Sequence, residues 1–195
     1  MKAALGFLTV VEHEEHGLFG GYLVLNMAGR PLEFHCTAPL KPNRAQEILF
    51  GPTLQDYLFG EQIGLALLDK AANEPLVVCT DCLPVLAMRG LINVPVALVL
   101  TRDANPDEAE PEDRSEAYER PSDKTWRLDA AHSAGPRVTE FRLGSNRLAV
   151  PVSSAADREL ISKRLDGMSD SLDLMEPFGR IREAIDEARH GGHGA

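Results

Sequence analysis

Residues 74–101 read EPLVVCTDCLPVLAMRGLINVPVALVLT, and this stretch decides the fold. Leu76 to Cys79 and Val94 to Leu100 are short, unbroken apolar runs rich in valine, the pattern of strands covered on both faces. A Cys79-Thr80-Asp81-Cys82 turn and a short apolar helix-like segment join them. Strand, helix and strand in that order predict a parallel pair with a right-handed connection. The crossover is tight, with about fourteen residues between the two runs.

Working upstream, Leu5 to Val11 is an apolar run that predicts a buried first strand. The polar loop Glu12–Gly17 follows, and Gly20-Gly21 open a second strand, GGYLVLN. Asn26 to Gly29 is turn chemistry, with Gly29 supplying a positive φ. Pro31 to Cys36 alternates, with Leu32, Phe34 and Cys36 on one face and Glu33 and His35 on the other, as a third strand does. These three strands in series predict an antiparallel meander. Asn43 is placed to cap a helix from Arg44 to Phe50, and Thr53 to cap a longer one from Leu54 to Ala72. Read at helical spacing, Glu61 falls on the apolar stripe of that second helix, between Gly60 and Gly64.

Downstream, residues 102–123 carry nine acids, three bases and three prolines, and 102–125 reads as a disordered acidic insert. Structure resumes at Trp126. Val138 to Leu143 and Arg147 to Val152 form a predicted hairpin, and Ser154 with Asp157 is a capping pair for a helix to about Leu165. A last helix begins near Asp170, with Leu174, Phe178, Ile181 and Ile185 on one stripe and Arg180, Arg182 and Glu183 facing away. The expected architecture is an α/β core over 1–101, a mixed sheet of about five strands in which the meander precedes the parallel pair. A hairpin and two helices over 126–189 pack on it, and 190–195 forms a loose tail.

The formal charge of −10 is concentrated in the insert, and no basic face is evident. Nucleic acid is therefore not expected as a partner. No apolar run approaches membrane-spanning length, and three cysteines without an export signal predict reduced thiols and a cytoplasmic protein. The chain has no Walker loop, GxGxxG or nucleophile elbow.

Three groups of residues have the composition of a site. Cys79 and Cys82 could close a redox disulfide or supply half of a zinc site, with Cys36, His35, His13 and His16 as further ligands. A helix dipole at Cys82 would lower its pKa. The CTDC placement at a strand end is similar to that of the thioredoxin family, and Val94-Pro95 matches its proline-bearing strand. The intervening Thr80-Asp81, the missing aromatic before Cys79 and the early proline depart from that family. The plainer reading makes Cys79 a core residue and Cys82 a small apolar one.

The second group is acidic: Glu12, Glu14 or Glu15 after the first strand, Glu61 on the helix, and Asp81 at the tip of the fourth strand. Three strands, a helix, a strand, a helix and a strand over residues 3–101 is similar to the ribonuclease H-like order. That resemblance implies acids on the first strand, first helix and fourth strand holding two divalent metals. Glu61 and Asp81 match two of those stations. The first strand departs, because Leu5 to Val11 contains no acid. The plainer reading makes Asp81 a helix cap and pairs Glu61 with Arg44 or Arg89. The third group is the stripe Leu174, Phe178, Ile181 and Ile185, which either packs on the sheet or anchors a partner.

The function expected from this balance is a non-catalytic accessory or adaptor protein that binds another protein or itself. A thiol or zinc protein and a metal-dependent phosphodiesterase, in a degenerate form or not, are the alternatives. No bound cofactor is expected, zinc or another divalent metal being the exception.

Overall fold

Val78–Thr80 and Val96–Leu100 lie side by side at the centre of a seven-stranded mixed sheet. The computed structural model describes residues 3–101, 136–166 and 173–191. The strands are β1 (Ala4–His13), β2 (Gly17–Asn26), β3 (Pro31–Cys36), β4 (Val78–Thr80), β5 (Val96–Leu100), β6 (Val138–Leu143) and β7 (Asn146–Pro151). Their order across the sheet is β3-β2-β1-β4-β5-β7-β6. β1, β4 and β5 are parallel, with Leu8 opposite Thr80 and Thr80 opposite Leu98. β1 to β3 are the antiparallel meander. The hairpin β6-β7 joins the same sheet through an antiparallel pairing with β5, so the sheet has seven strands where five were expected. The expected insert at 102–125 and the restart at Trp126 lie outside the described residues.

Side-chain alternation divides the inner strands between two apolar layers. Leu5, Phe7, Cys79, Ala97 and Val99 face α3 (Asp157–Arg164) and α4 (Glu176–Gly191). Leu8, Val78, Val96 and Leu98 face the other way. They pack under a π-helix (Asp56–Leu65) that runs into α2 (Ala66–Leu68), and under a 3-10 helix (Leu83–Gly90). Adjacent glycines in β2 let both layers close on the sheet. A Cβ on Gly20 would strike Ile63 and Leu67, and one on Gly21 would strike Ile181 and Ile185 of α4.

Helix α1 (Arg44–Phe50) begins at a capping box in which Asn43 Oδ1 accepts from Gln46 N at 2.9 Å and Gln46 Oε1 from Asn43 N at 3.0 Å. Two expected caps are absent. Thr53 donates its hydroxyl back to Phe50 O and caps nothing. Asp157 is not capping α3, because its carboxylate is taken by Arg89. The region expected to be an α-helix from Leu54 is largely π-helical. Its i→i+5 hydrogen bonds carry residues spaced for an α-helix around the axis. Leu58, Ile63 and Leu67 are buried as a result, and Glu61 points to solvent. Among the described residues no helix is long and apolar enough to cross a membrane.

Candidate functional site

The CTDC turn lies at the carboxyl end of β4, alongside Thr9 and Val10 partway along β1, where the 3-10 helix begins. Cys82 N donates to Thr80 Oγ1 at 3.1 Å, folding the turn over its own strand. The Cys82 sulfur then reaches β1. It lies 3.5 Å from Val10 N, 3.6 Å from Val10 O and 3.7 Å from the hydroxyl of fully buried Thr9. Its single proton is shared between acceptors at Val10 O and Asp81 Oδ1, the latter 3.4 Å away. Asp81 Oδ2 accepts from Nη2 of Arg182, which comes down from α4. The Asp81 side chain is 8% exposed and that of Arg182 47%.

The two cysteines do not cooperate. Cys79 lies in the layer under α4, and Cys82 packs with the opposite layer. Both are free thiols. Burial pushes the Cys79 thiol up to about 12. Burial, with the Asp81 carboxylate beside it, pushes Cys82 up to about 11. The expected lowering at Cys82 is reversed because it precedes a 3-10 helix from within a part-buried, acidic corner. Cys36 is exposed on edge strand β3, and His35 on the same strand is hydrogen bonded to Glu33 at 3.0 Å. His13 and His16 face each other across the β1-β2 turn, Nδ1 to Nδ1 at 3.1 Å. Among the described residues no three His, Cys, Asp or Glu side chains converge as a metal ion requires.

Glu61 and Asp81 are not brought together. Glu61 projects from the helix on one face of the sheet, and Asp81 is tied to α4 on the other. Neither base proposed for Glu61 reaches it. Arg44 pairs with Glu47, and Arg89 pairs with Asp157. Sequence reasoning passed over Thr9 and Arg182, which complete the corner around Asp81. Thr9 had a signal, as the one polar residue inside an apolar strand. Arg182 had none, since it reads as part of a solvated helix face.

No family model matches the chain and no curated protein matches it. Among solved structures it is similar to a Ciona intestinalis endonuclease V in complex with a 23-mer DNA containing an inosine. The identity is 14%, the match spans 50% of this chain and 45% of that one, and the TM-score is 0.34. It is also similar to human ENDOV at 12% identity, over 96% of this chain and 86% of that one, with a TM-score of 0.37. The chain thus spans less than half of the first of these. Such identities carry no residue role across.

Two expectations are corrected here. The adaptor reading needed Leu174, Phe178, Ile181 and Ile185 on the surface, but all four are buried against the sheet. One of the similar solved structures is an endonuclease V, where the expectation was a non-catalytic protein. The expectation that nucleic acid is not a partner is set aside on the second ground, one of those structures being a complex with DNA.

Proposed function

We propose that this chain is a degenerate phosphodiesterase of ribonuclease H-like order. In this reading it engages nucleic acid at the carboxyl end of β4 and lacks the acid set for two-metal hydrolysis. The observation that carries the reading is the strand order β3-β2-β1-β4-β5, with β2 alone running against the rest of that set. It leaves Asp81 at the carboxyl end of β4, beside the stretch of β1 around Thr9, and carboxyl strand ends are where open α/β sheets hold ligands.

The divalent metals that such a fold implies do not fit the residues present. Two cations held close together need several carboxylates to offset their charge. At this strand end Asp81 is already paired with Arg182, and Thr9 stands on β1 with no acid in the buried run around it. Glu61 belongs to the opposite face, and Glu12 is exposed farther along β1.

Labelled single-stranded, duplex and RNA–DNA hybrid oligonucleotides test the reading, each with Mg²⁺ or Mn²⁺. The expected result is binding that weakens with salt, and no metal-dependent cleavage. Cleavage lost in Asp81→Asn would show a complete catalytic set and end the degenerate reading. No binding of any strand at low salt would end the nucleic-acid reading.

A further inference from the structure

We infer that Arg182 supplies the positive charge at this strand end, so that a phosphodiester is held there by a guanidinium rather than by a metal ion. The inference rests on the reading that the strand end engages nucleic acid. Arg182 is about half exposed and commits Nη2 to Asp81. Its Nε and Nη1 meet no acceptor among the described residues. A guanidinium carries five N–H donors in a rigid planar fork. A carboxylate on one nitrogen therefore leaves a further edge to donate to a second anion, and phosphate oxygens match such an edge bidentately.

The corner is built to hold that fork still. Phe178, Ile181 and Ile185 seat α4 on the sheet, so the stem of Arg182 starts from a fixed backbone. Asp81 aims the guanidinium and is itself held by the Cys82 thiol, which is braced to β1 through Val10 and Thr9. Asp81 is thus a positioning residue. It also offsets part of the charge that an incoming phosphate would feel.

This arrangement fixes the sign of one substitution. In a metal site, Asp81→Asn removes a ligand and weakens phosphate binding. In a guanidinium site, asparagine keeps an acceptor oxygen to aim Arg182 and removes the competing charge, so binding strengthens.

The experiment measures oligonucleotide affinity for the full chain and for Asp81→Asn and Arg182→Gln, with and without EDTA, each variant's fold being checked by circular dichroism. The expected results are several-fold tighter binding by Asp81→Asn, at least about tenfold weaker binding by Arg182→Gln, and no effect of EDTA. The slope of log affinity against log salt should fall by about one in Arg182→Gln. Weaker binding by Asp81→Asn, sensitivity to EDTA, or unchanged binding by Arg182→Gln would each overturn the inference. A second probe separates it from the reading beneath it. Inorganic pyrophosphate is titrated while the ¹⁵N-edited signal of the Arg182 Nε–H is followed. A shift there with no oligonucleotide binding would keep the guanidinium site and discard nucleic acid as its ligand. No shift would discard the site even if oligonucleotides bind.

Discussion

The pair Arg89–Asp157 offers the sharpest test of how the crossover is held. Arg89 lies near the end of the 3-10 helix after the CTDC turn, and Asp157 is the first residue of α3. The contact is bidentate, Nε to Oδ2 at 2.5 Å and Nη2 to Oδ1 at 3.0 Å, with Nη1 also donating to Ile92 O at 2.8 Å. The side chains are 21% and 6% exposed. The pairing favours the charged guanidinium, holding the Arg89 pKa above its ordinary value against the opposing effect of burial. Removing the arginine strands a carboxylate with almost no access to water, so Arg89→Met should cost about 3–5 kcal/mol. Asp157→Asn leaves an acceptor for a guanidinium that still reaches solvent, and should cost about 2 kcal/mol. For a chain of this size the first loss corresponds to a fall of roughly 6–20 °C in Tm. Urea unfolding of both single variants and of Arg89→Met/Asp157→Leu checks this. The double variant should lose less than the sum of the single losses. Single losses below about 1 kcal/mol, or additive losses, would show that the pair behaves as a surface bridge and would refute the reasoning.

Three further outcomes follow from contacts described above or beside them. Glu33 accepts from His35, from Ala72 N at 2.9 Å, from the Asn73 amide and from Asn73 N at 2.6 Å, which lower its pKa from 4.5 to about 2. A depressed carboxylate stabilises the fold above its unfolded pKa and loses that contribution as pH falls through the folded one. Glu33→Gln should therefore cost about 1 kcal/mol at neutral pH, after solvent screening, and flatten the stability profile between about pH 4.5 and pH 2. An unchanged acid limb in unfolding curves would contradict it. A thiol reagent should modify Cys36 promptly, part-buried and protonated Cys82 slowly, and buried Cys79 only on unfolding. Two prompt equivalents would contradict that. Gly21→Ala should destabilise by about 1–3 kcal/mol and recover part of the loss when combined with Ile185→Val, as denaturation curves of the three variants would show.

Local chemistry made much of the sheet legible. Asn43 and Gln46 form the box their spacing promises, and β3 occupies the residues its alternation marks. The valine-rich runs are parallel and covered on both faces because nothing in them asks for water. Failures came where one local rule met a longer-range demand. At α-helical spacing Glu61 falls on the apolar stripe, but Gly60 and Gly64 let the chain press against Ala87 and Met88, and the helix there is π-wound. Asp157 had a capping position and found a stronger partner 68 residues away. At the candidate site Asp81 could be read from its place at a strand tip. Arg182 could not, because its partner lies 101 residues upstream and pairing of that range leaves no periodic trace.

The Gly20-Gly21 dipeptide couples the histories of two helices that share no surface. Ile63 and Leu67 lean on one glycine, and Ile181 and Ile185 on the next, from opposite sides of a single strand. A larger residue at Gly20 demands smaller ones in the π-helical segment and α2, while a larger residue at Gly21 demands them in α4. A one-residue slip of β2 would exchange the two demands and satisfy neither. The dipeptide therefore acts as a register mark. It is the place where an insertion or deletion in the β1-β2 turn is least tolerated, although that turn itself is polar and exposed.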